Sequence, residues 1–361
     1  MKNIKIHLYA VLMLLTLTSS CQNKKQDKKM TTEEFDWQPT MCTPVGYPVD
    51  VYEGGLGSES GAGSGLYLGT HYGPWGATGR SMSSGIKPVP RHLDVTWLSY
   101  AEDSFYTIDC DIDYDKMVKL FKEGYQDSMW FFNDGRYQLD TYKYIIVGFA
   151  PGGVVVIWLY GPGKQVEIGR YQGREIVIPQ NEISSLDNHE RLLFDPEYRK
   201  ETMLNTNMIP LEVQKANKNK PIPFGLWDRY REKYWWRPAY LVQKEGEMES
   251  VSFETYNAEQ EELFDESFNR NDFLKRAIPK DIGLTWNNGK GDRFSGYVVF
   301  DEDKIFKAYQ EIYKDNKEGR AELVFRVNIP NTFITVVLKG NGKEVSLNQG
   351  TKVEVFKIEE K

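Results

Sequence analysis

Residues Tyr142–Tyr171 read YKYIIVGFAPGGVVVIWLYGPGKQVEIGRY, and the fold is decided by how this stretch is built. Tyr144–Ala150 and Val154–Tyr160 are short apolar runs rich in Val, Ile and aromatics and bounded by Gly and Pro, the composition of strands rather than of a buried helix. Pro151-Gly152 between them has type II turn chemistry: the pyrrolidine ring fixes φ at the first central position and Gly permits positive φ at the second. Gly161-Pro162-Gly163 turns the chain again. The third run alternates, with Val166 and Ile168 on one face and Gln165 and Glu167 on the other. Two strands without alternation beside one that has it predict a meander, buried on both faces at its centre and half-solvated at its edge.

Working outward, the meander closes a pattern that occurs twice in the chain. Pro90-Arg91-His92-Leu93-Asp94-Val95-Thr96-Trp97 is echoed by Pro279-Lys280-Asp281-Ile282-Gly283-Leu284-Thr285-Trp286. Further on, Asp113, Asp115, Lys116, Lys119 and Tyr125 meet Asp301, Asp303, Lys304, Lys307 and Tyr313. In the meander, Pro151 meets Pro330, and Gly161-Pro162-Gly163-Lys164 meets Gly340-Asn341-Gly342-Lys343. Each copy carries an amphipathic helix before its meander. Met117, Leu120, Phe121 and Tyr125 fall at helical spacing in the first, and Ile305, Phe306, Tyr309, Ile312 and Tyr313 in the second, with the aspartates as N-caps. In the second meander Leu323, Phe325, Val327 and Ile329 are expected to point inward. The expected fold is therefore α+β, two tandem copies of an antiparallel sheet with one amphipathic helix packed on it.

The expected boundaries are 1–20 for a signal peptide, 21–35 for a polar tether, 36–178 for the first repeat, 179–226 for a linker and 227–361 for the second repeat. The linker is broken by Pro196, Pro210, Pro221 and Pro223, with one helix expected around Pro196–Leu204. The first copy also holds a Gly/Ser-rich insertion, Gly54–Gly85, containing His71, Trp75 and Arg80, whose composition predicts a mobile surface loop.

A chain of 361 residues with 14% aromatics and 40% hydrophobics can build substantial cores. Its net charge of −7, with no basic stripe, excludes nucleic acid as a partner. Lys2 and Lys5 precede an apolar run, Ile6–Leu17, and the small residues Thr18-Ser19-Ser20, which is the order of a targeting segment. That run is short of the roughly 20 residues a membrane span needs. Leu17-Thr18-Ser19-Ser20-Cys21 resembles a bacterial lipobox. It implies cleavage before Cys21, lipidation of Cys21 and membrane attachment in the cell envelope, on the periplasmic face or at the outer membrane. Cys42 and Cys110 then remain in an oxidising compartment and are expected to form a disulfide.

The sequence offers little for catalysis. Asp109-Cys110-Asp111-Ile112-Asp113-Tyr114-Asp115 alternates acids, but an EF-hand needs Gly where Tyr114 stands and Glu where Leu120 stands. Ser84-Gly85-Ile86-Lys87 matches S-x-x-K, yet Pro88 and Pro90 follow where a helix should begin. Gly57-Ser58-Glu59-Ser60-Gly61 has Glu59 where a nucleophile elbow has Ser. With four His in the chain, no Cys/His zinc spacing exists. No catalytic residue, metal ligand or cofactor is expected.

Aromatic residues remain. Trp227–Arg237 concentrates rings and guanidiniums, Trp130-Phe131-Phe132 forms a second cluster, and Trp75 sits in the insertion. Flat rings beside charged groups can stack on sugars or peptides, so the candidate ligand-binding residues are Trp75, Trp130, Phe131, Phe132, Trp235, Trp236 and Arg237. The insertion, with Trp75, is expected to cover a surface near Trp130–Phe132. On the competing reading, Trp235 and Trp236 glue the two copies together. Trp97 and Trp286, at equivalent strand positions, are expected in the cores.

The lipobox, Pro44 and Tyr47-Pro48, Trp75-Gly76, the Pro90–Trp97 strand and the run Val147-Gly148-Phe149-Ala150-Pro151-Gly152-Gly153 together resemble the domain of unknown function 2931 family, uncharacterised lipoproteins of Gram-negative bacteria. The resemblance covers most of residues 36–178 and extends loosely to the end. It implies an envelope lipoprotein and brings no activity or catalytic residue. The expected function is a non-enzymatic binding module for a peptide, glycan or protein. The alternatives are an immunity lipoprotein neutralising a toxin and a glycan-active hydrolase using paired carboxylates.

Overall fold

In chain order the first half contributes strands β1 (Gln38–Cys42), β2 (Val49–Gly57), β3 (Gly63–Gly65), β4 (His92–Ser99) and β5 (Ser104–Asp111). Helix α1 (Tyr114–Glu123) follows, then β6 (Tyr144–Ala150), β7 (Val154–Gly161), β8 (Lys164–Gln172) and β9 (Arg174–Ile176). After helix α2 (Pro196–Leu204) come β10 (Lys233–Leu241), β11 (Glu247–Thr255), β12 (Gln260–Phe264), α3 (Asp265–Arg270) and β13 (Leu274–Ala277). The chain ends with β14 (Pro279–Asn287), β15 (Arg293–Val299), α4 (Glu302–Tyr313), β16 (Ala321–Val327), β17 (Ile334–Gly340), β18 (Lys343–Ser346) and β19 (Lys352–Ile358). The computed structural model describes residues 32–359 apart from 60, 62, 67, 68, 130, 132–134 and 189. The expected signal segment, Cys21, Trp130 and Phe132 thus lie outside the described residues.

The Tyr142–Tyr171 stretch forms its meander in full register, Tyr144 opposite Tyr160 through to Ala150 opposite Val154. Gly152 and Gly153 in the connecting turn have φ of 80° and 70°, values that any side chain would strain. Gly148 in mid-strand serves a different need. A Cβ there would stand 2.6 Å from Trp158 and 2.8 Å from Trp75, so its absence lets the two indoles meet. Both long helices start as their sequences dictate. The Asp113 carboxylate accepts from the Lys116 N–H at 3.1 Å and Asp301 from the Lys304 N–H at 3.1 Å, caps worth about 1 kcal/mol each.

The fold is α+β, but each half uses two sheets where one was expected. A nine-stranded sheet runs β1-β6-β7-β8-β12-β11-β14-β15-β19 through both halves. A second sheet, β9-β5-β4-β2-β3, covers it in the first half, and a third, β13-β10-β16-β17-β18, in the second. Neither half is wholly antiparallel: β1 runs parallel to β6, and β10 parallel to β16. The same pairings recur, since β9 flanks β5 as β19 flanks β15. Each helix shares the core between two sheets. Met117 and Phe121 join Trp97, Val147 and Ile157 in one cluster, while Ile305, Tyr309 and Ile312 join Trp236, Trp286 and Phe325 in the other. Trp97 and Trp286 are core, as expected.

The edge expected at β8 is paired, because Gln165 hydrogen-bonds across to Gln260 on β12. Ile329, expected inward, lies beyond the end of β16 and is 82% exposed. The helix expected near Pro196–Leu204 is present. The other face of β6 and β7 carries a third cluster, with Cys42, Ile146, Val156, Trp158, Trp227 and Ala258 buried and Trp75 packed on it. It binds the halves together. Trp158 Nε1 donates to the Asn257 carbonyl at 3.0 Å, Arg170 grips Asp228 at 2.9 and 3.1 Å, and Arg231 reaches Glu167 at 2.7 Å. Glu34–Lys361 forms one compact unit.

Candidate functional site

The structure places the described residues singled out from sequence in different surroundings. Trp75 meets Trp158 edge-on at 4.9 Å and lies 6.5 Å from Trp227, half-buried in the third cluster, whereas Phe131 packs on Tyr137 and Phe264. Trp236 is 0% exposed in the second core, its Nε1 donating to the Ala277 carbonyl at 3.1 Å. Trp235, on the opposite face of β10, donates to Glu318 at 2.9 Å with Lys275 over its ring. Neither Trp235 nor Trp236 joins the halves; Trp227 does. Arg237 is held by Glu322 and lies 4.3 Å from the Phe273 ring.

Cys42 and Cys110 are free thiols, which overturns the expected disulfide. Cys42, on β1, lies in the third cluster, where its Sγ accepts from the Gly76 N–H at 3.1 Å. Cys110, on β5, packs against the first core, on the other side of the β6–β7 sheet layer. A layer of side chains and backbone therefore separates them. Burial pushes the Cys42 thiol up to about 12.

Among the described candidates, Phe131 enters a sizeable cleft. A cavity of about 710 Å³ lies between the end of β10, the start of β11 and helix α3, with Phe131 in its wall. Phe131 is placed by Phe264 at 5.5 Å and Tyr137 at 5.3 Å, and the Tyr137 hydroxyl donates to Asp265. Nearby, Ser128 donates to Glu262 at 2.5 Å; burial raises the Glu262 carboxyl and that bond partly offsets it. Tyr240 stacks on Phe268 at 5.1 Å, and Met248 and Val242 extend the apolar wall. Glu247, Glu249 and Asp265 supply carboxylates, and no Lys or Arg is among the described lining residues. Arg293 holds Glu249 in place, with Nε at 3.0 Å and Nη2 at 2.7 Å. The wall is thus apolar and aromatic beneath a rim of acceptors of one sign. Sequence reasoning found Phe131 and missed Tyr240, Phe268, Glu247 and Asp265, which converge from segments that show nothing unusual singly.

Two other titratable positions are notable. His92 on β4 lies 2.5 Å from Asp109 and 3.1 Å from Asp111, on the exposed face of its sheet. Asp111 above all, then Asp109, raises the imidazole against the lowering effect of burial. The position equivalent to His92 in the second half is Asp281. Burial, then the charge of Glu254, raises its carboxyl to about 6 against the lowering pull of Lys280 and Tyr297.

No curated protein and no solved structure matches the chain. A family model, described as a protein of unknown function (DUF2931), matches residues 20–225. The match takes in Phe131 but ends before every second-half wall of the cleft. It covers more than half of the chain, and the protein belongs to the DUF2931 family.

Proposed function

We propose that the protein is an envelope-anchored, non-enzymatic binding module that takes a cation-bearing peptide segment of a partner protein in the Phe131–Tyr240–Phe268 cleft. The observation that carries this reading is the acidic rim over an apolar wall: Glu247, Glu249 and Asp265, of which Glu249 is paired with Arg293, and no Lys or Arg among the described lining residues. Ionised carboxylates only accept hydrogen bonds, whereas Lys and Arg side chains only donate. A basic side chain beside an aromatic or apolar one therefore fits both the rim and the wall. A glycan, whose hydroxyls both donate and accept, would need donors on the rim, and among the described lining side chains only the Asn269 amide and the buried Tyr240 hydroxyl could supply them. The cavity lies within the range of about 300–1,000 Å³ usual for ligand sites.

The probe is a short amidated peptide alternating Arg and Phe, set against its Gln/Phe analogue and a neutral oligosaccharide, with affinity read by fluorescence anisotropy on the soluble chain. Glu247→Gln and Asp265→Asn should each weaken the basic peptide about 3- to 10-fold, and more at low salt. Phe131→Ala should weaken it at least 10-fold. Equal affinity for the Gln/Phe peptide, or preference for the oligosaccharide, would overturn the reading.

Two further readings belong with this one. The chain is a duplication of one α+β unit, supported by the three repeated sequence blocks and by the recurrent pairing around β1 with β6 and β10 with β16. Cys21 is the lipidated residue after removal of 1–20, supported by the apolar run that ends at Leu17-Thr18-Ser19-Ser20-Cys21. Several acyl chains would hold such a protein firmly where one would not. Cys21→Ala should release the protein from the membrane fraction; unchanged fractionation with no lost acyl label would refute the anchor.

A further inference from the structure

The nine-stranded sheet crosses between the halves through one backbone pair, Gln165 with Gln260. At this seam a cavity of about 140 Å³ opens between β8 and β12, with Lys233 of β10 and Leu274, Lys275 and Arg276 of β13 in its wall. Lys275 leans out to Glu318 at 3.2 Å. The remaining cations, Lys164, Lys233 and Arg276, outnumber the carboxylates Glu259 and Glu261. That is a local reversal of sign on a chain of net charge −7.

Arg276 is the fixed element. Its side chain is 7% exposed, and Nε donates to Glu261 at 2.8 Å. Nη1 donates to the Trp236 carbonyl at 3.1 Å and the Asp272 carbonyl at 3.3 Å. The guanidinium lies 5.8 Å from the Trp236 ring and 5.6 Å from that of Phe253. Nη2 makes no hydrogen bond to a described residue and keeps solvent contact, so it is free to donate to a group in the pocket. Glu261 stays ionised and offsets one of the three cations. Burial acts to raise its carboxyl, but Lys164 and Arg276 more than offset that and hold it below the usual range. Lys164 stands 3.8 Å from Glu261 and is loosely engaged; Lys233 meets Glu259 at 2.5 Å.

We infer that this seam is a binding pocket for a small oxyanion group, a phosphate or carboxylate, gripped by Arg276 and closed over by Lys164 and Lys233. A fixed guanidinium N–H gives direction, and lysine ammoniums supply point charges on flexible stems. The volume is well below the roughly 300 Å³ at which drug-sized ligands begin, so the pocket takes a free ion or the charged end of a larger molecule.

The test titrates the whole soluble chain with inorganic phosphate, glycerol 3-phosphate and ¹³C-acetate, read by ³¹P and ¹³C NMR line broadening at constant ionic strength. At least one should bind saturably at millimolar concentration, and which one identifies the oxyanion. Lys164→Gln combined with Lys233→Gln should weaken that binding at least 10-fold with circular dichroism unchanged. Arg276→Gln should abolish it where the variant folds; because Arg276 also braces the core, the lysine pair is the decisive variant. Absence of binding by all three probes overturns the inference, as does binding that the lysine pair leaves intact. Basic-peptide binding in the acidic cleft should persist in the lysine variants, so failure here leaves the cleft reading standing.

Discussion

Truncating Trp75 to Ala tests whether the Gly/Ser-rich insertion is a working lid or part of the framework. A Trp buries about 150–250 Å², and Trp75, being half-buried, accounts for about 75–125 Å² of it. At about 25 cal/mol per Å² this gives about 2–3 kcal/mol, reduced by about 10–40% because the unfolded chain is already partly collapsed. Truncation also strands the edges of Trp158 and Trp227, 4.9 and 6.5 Å away, beside Gly148, which has no side chain to fill the gap. The expected loss is therefore about 2–3 kcal/mol. Urea unfolding followed by far-ultraviolet circular dichroism measures it without relying on the fluorescence of the residue removed. Met82→Ala is the control: Met82 lies in the same insertion but is 60% exposed, and its change should stay within about 0.5 kcal/mol. Basic-peptide affinity should be unaltered in both variants. A Trp75→Ala loss below about 0.5 kcal/mol would show that the insertion peels away freely and that the third cluster does not hold it.

Three other outcomes follow from single residues. The Asp281 carboxyl is raised to about 6, so the folded chain binds this proton more tightly than the unfolded chain. The group therefore costs stability above pH 6, and the cost is relieved as pH falls from about 6 towards 4. Asp281→Asn should raise stability at pH 7 by about 1–2 kcal/mol, after discounting for solvent screening, and remove that part of the pH slope; a variant less stable at pH 7 would contradict it. In a Cys21→Ser background, iodoacetamide should label half-buried Cys110 in the native protein and Cys42 only on unfolding, with mass spectrometry as the readout; a native disulfide would refute the free-thiol assignment. Asp113→Ala and Asp301→Ala should each cost about 1 kcal/mol in urea unfolding, and a cost near zero would mean that the helix ends are held by packing alone.

What the sequence revealed was local. The Val/Ile runs, the Pro151–Gly153 turn and the capping aspartates depend on residues a few positions apart, and each forms as its chemistry predicts. The sheet partners of β8 and β1 depend on segments far along the chain. Gln165, on the polar side of an alternating strand, reads as a solvated edge until Gln260 is brought beside it. The tryptophans went astray for a related reason. Lys233–Leu241 is a strand, so Trp235 and Trp236 must point to opposite faces, one into the core and one to the surface, and the pair cannot act as a single patch. That parity was available in the sequence. The position of Trp227, which joins the halves from a short helix, was not.

The acidic cleft shows why function was less legible than fold. Its wall draws on Phe131, on β10 and β11, and on α3, four segments that share no sequence pattern. Tyr240 and Met248 there look like ordinary strand residues, and Glu247 and Asp265 like ordinary surface acids. What distinguishes them is that no Lys or Arg falls among the described lining residues, with Glu249 alone of the three carboxylates tied to an arginine, Arg293. A charge pattern of this kind exists in the folded state alone. Phe131 lies in the half matched by the family model and the rest of the cleft beyond it. On the binding reading, removing Phe131 and removing the second-half carboxylates must therefore impair the same ligand, the first by loss of apolar contact at any salt concentration and the second chiefly at low salt. A salt dependence that survived unchanged in the Glu247→Gln, Asp265→Asn double variant would place the cation's partner elsewhere on the surface.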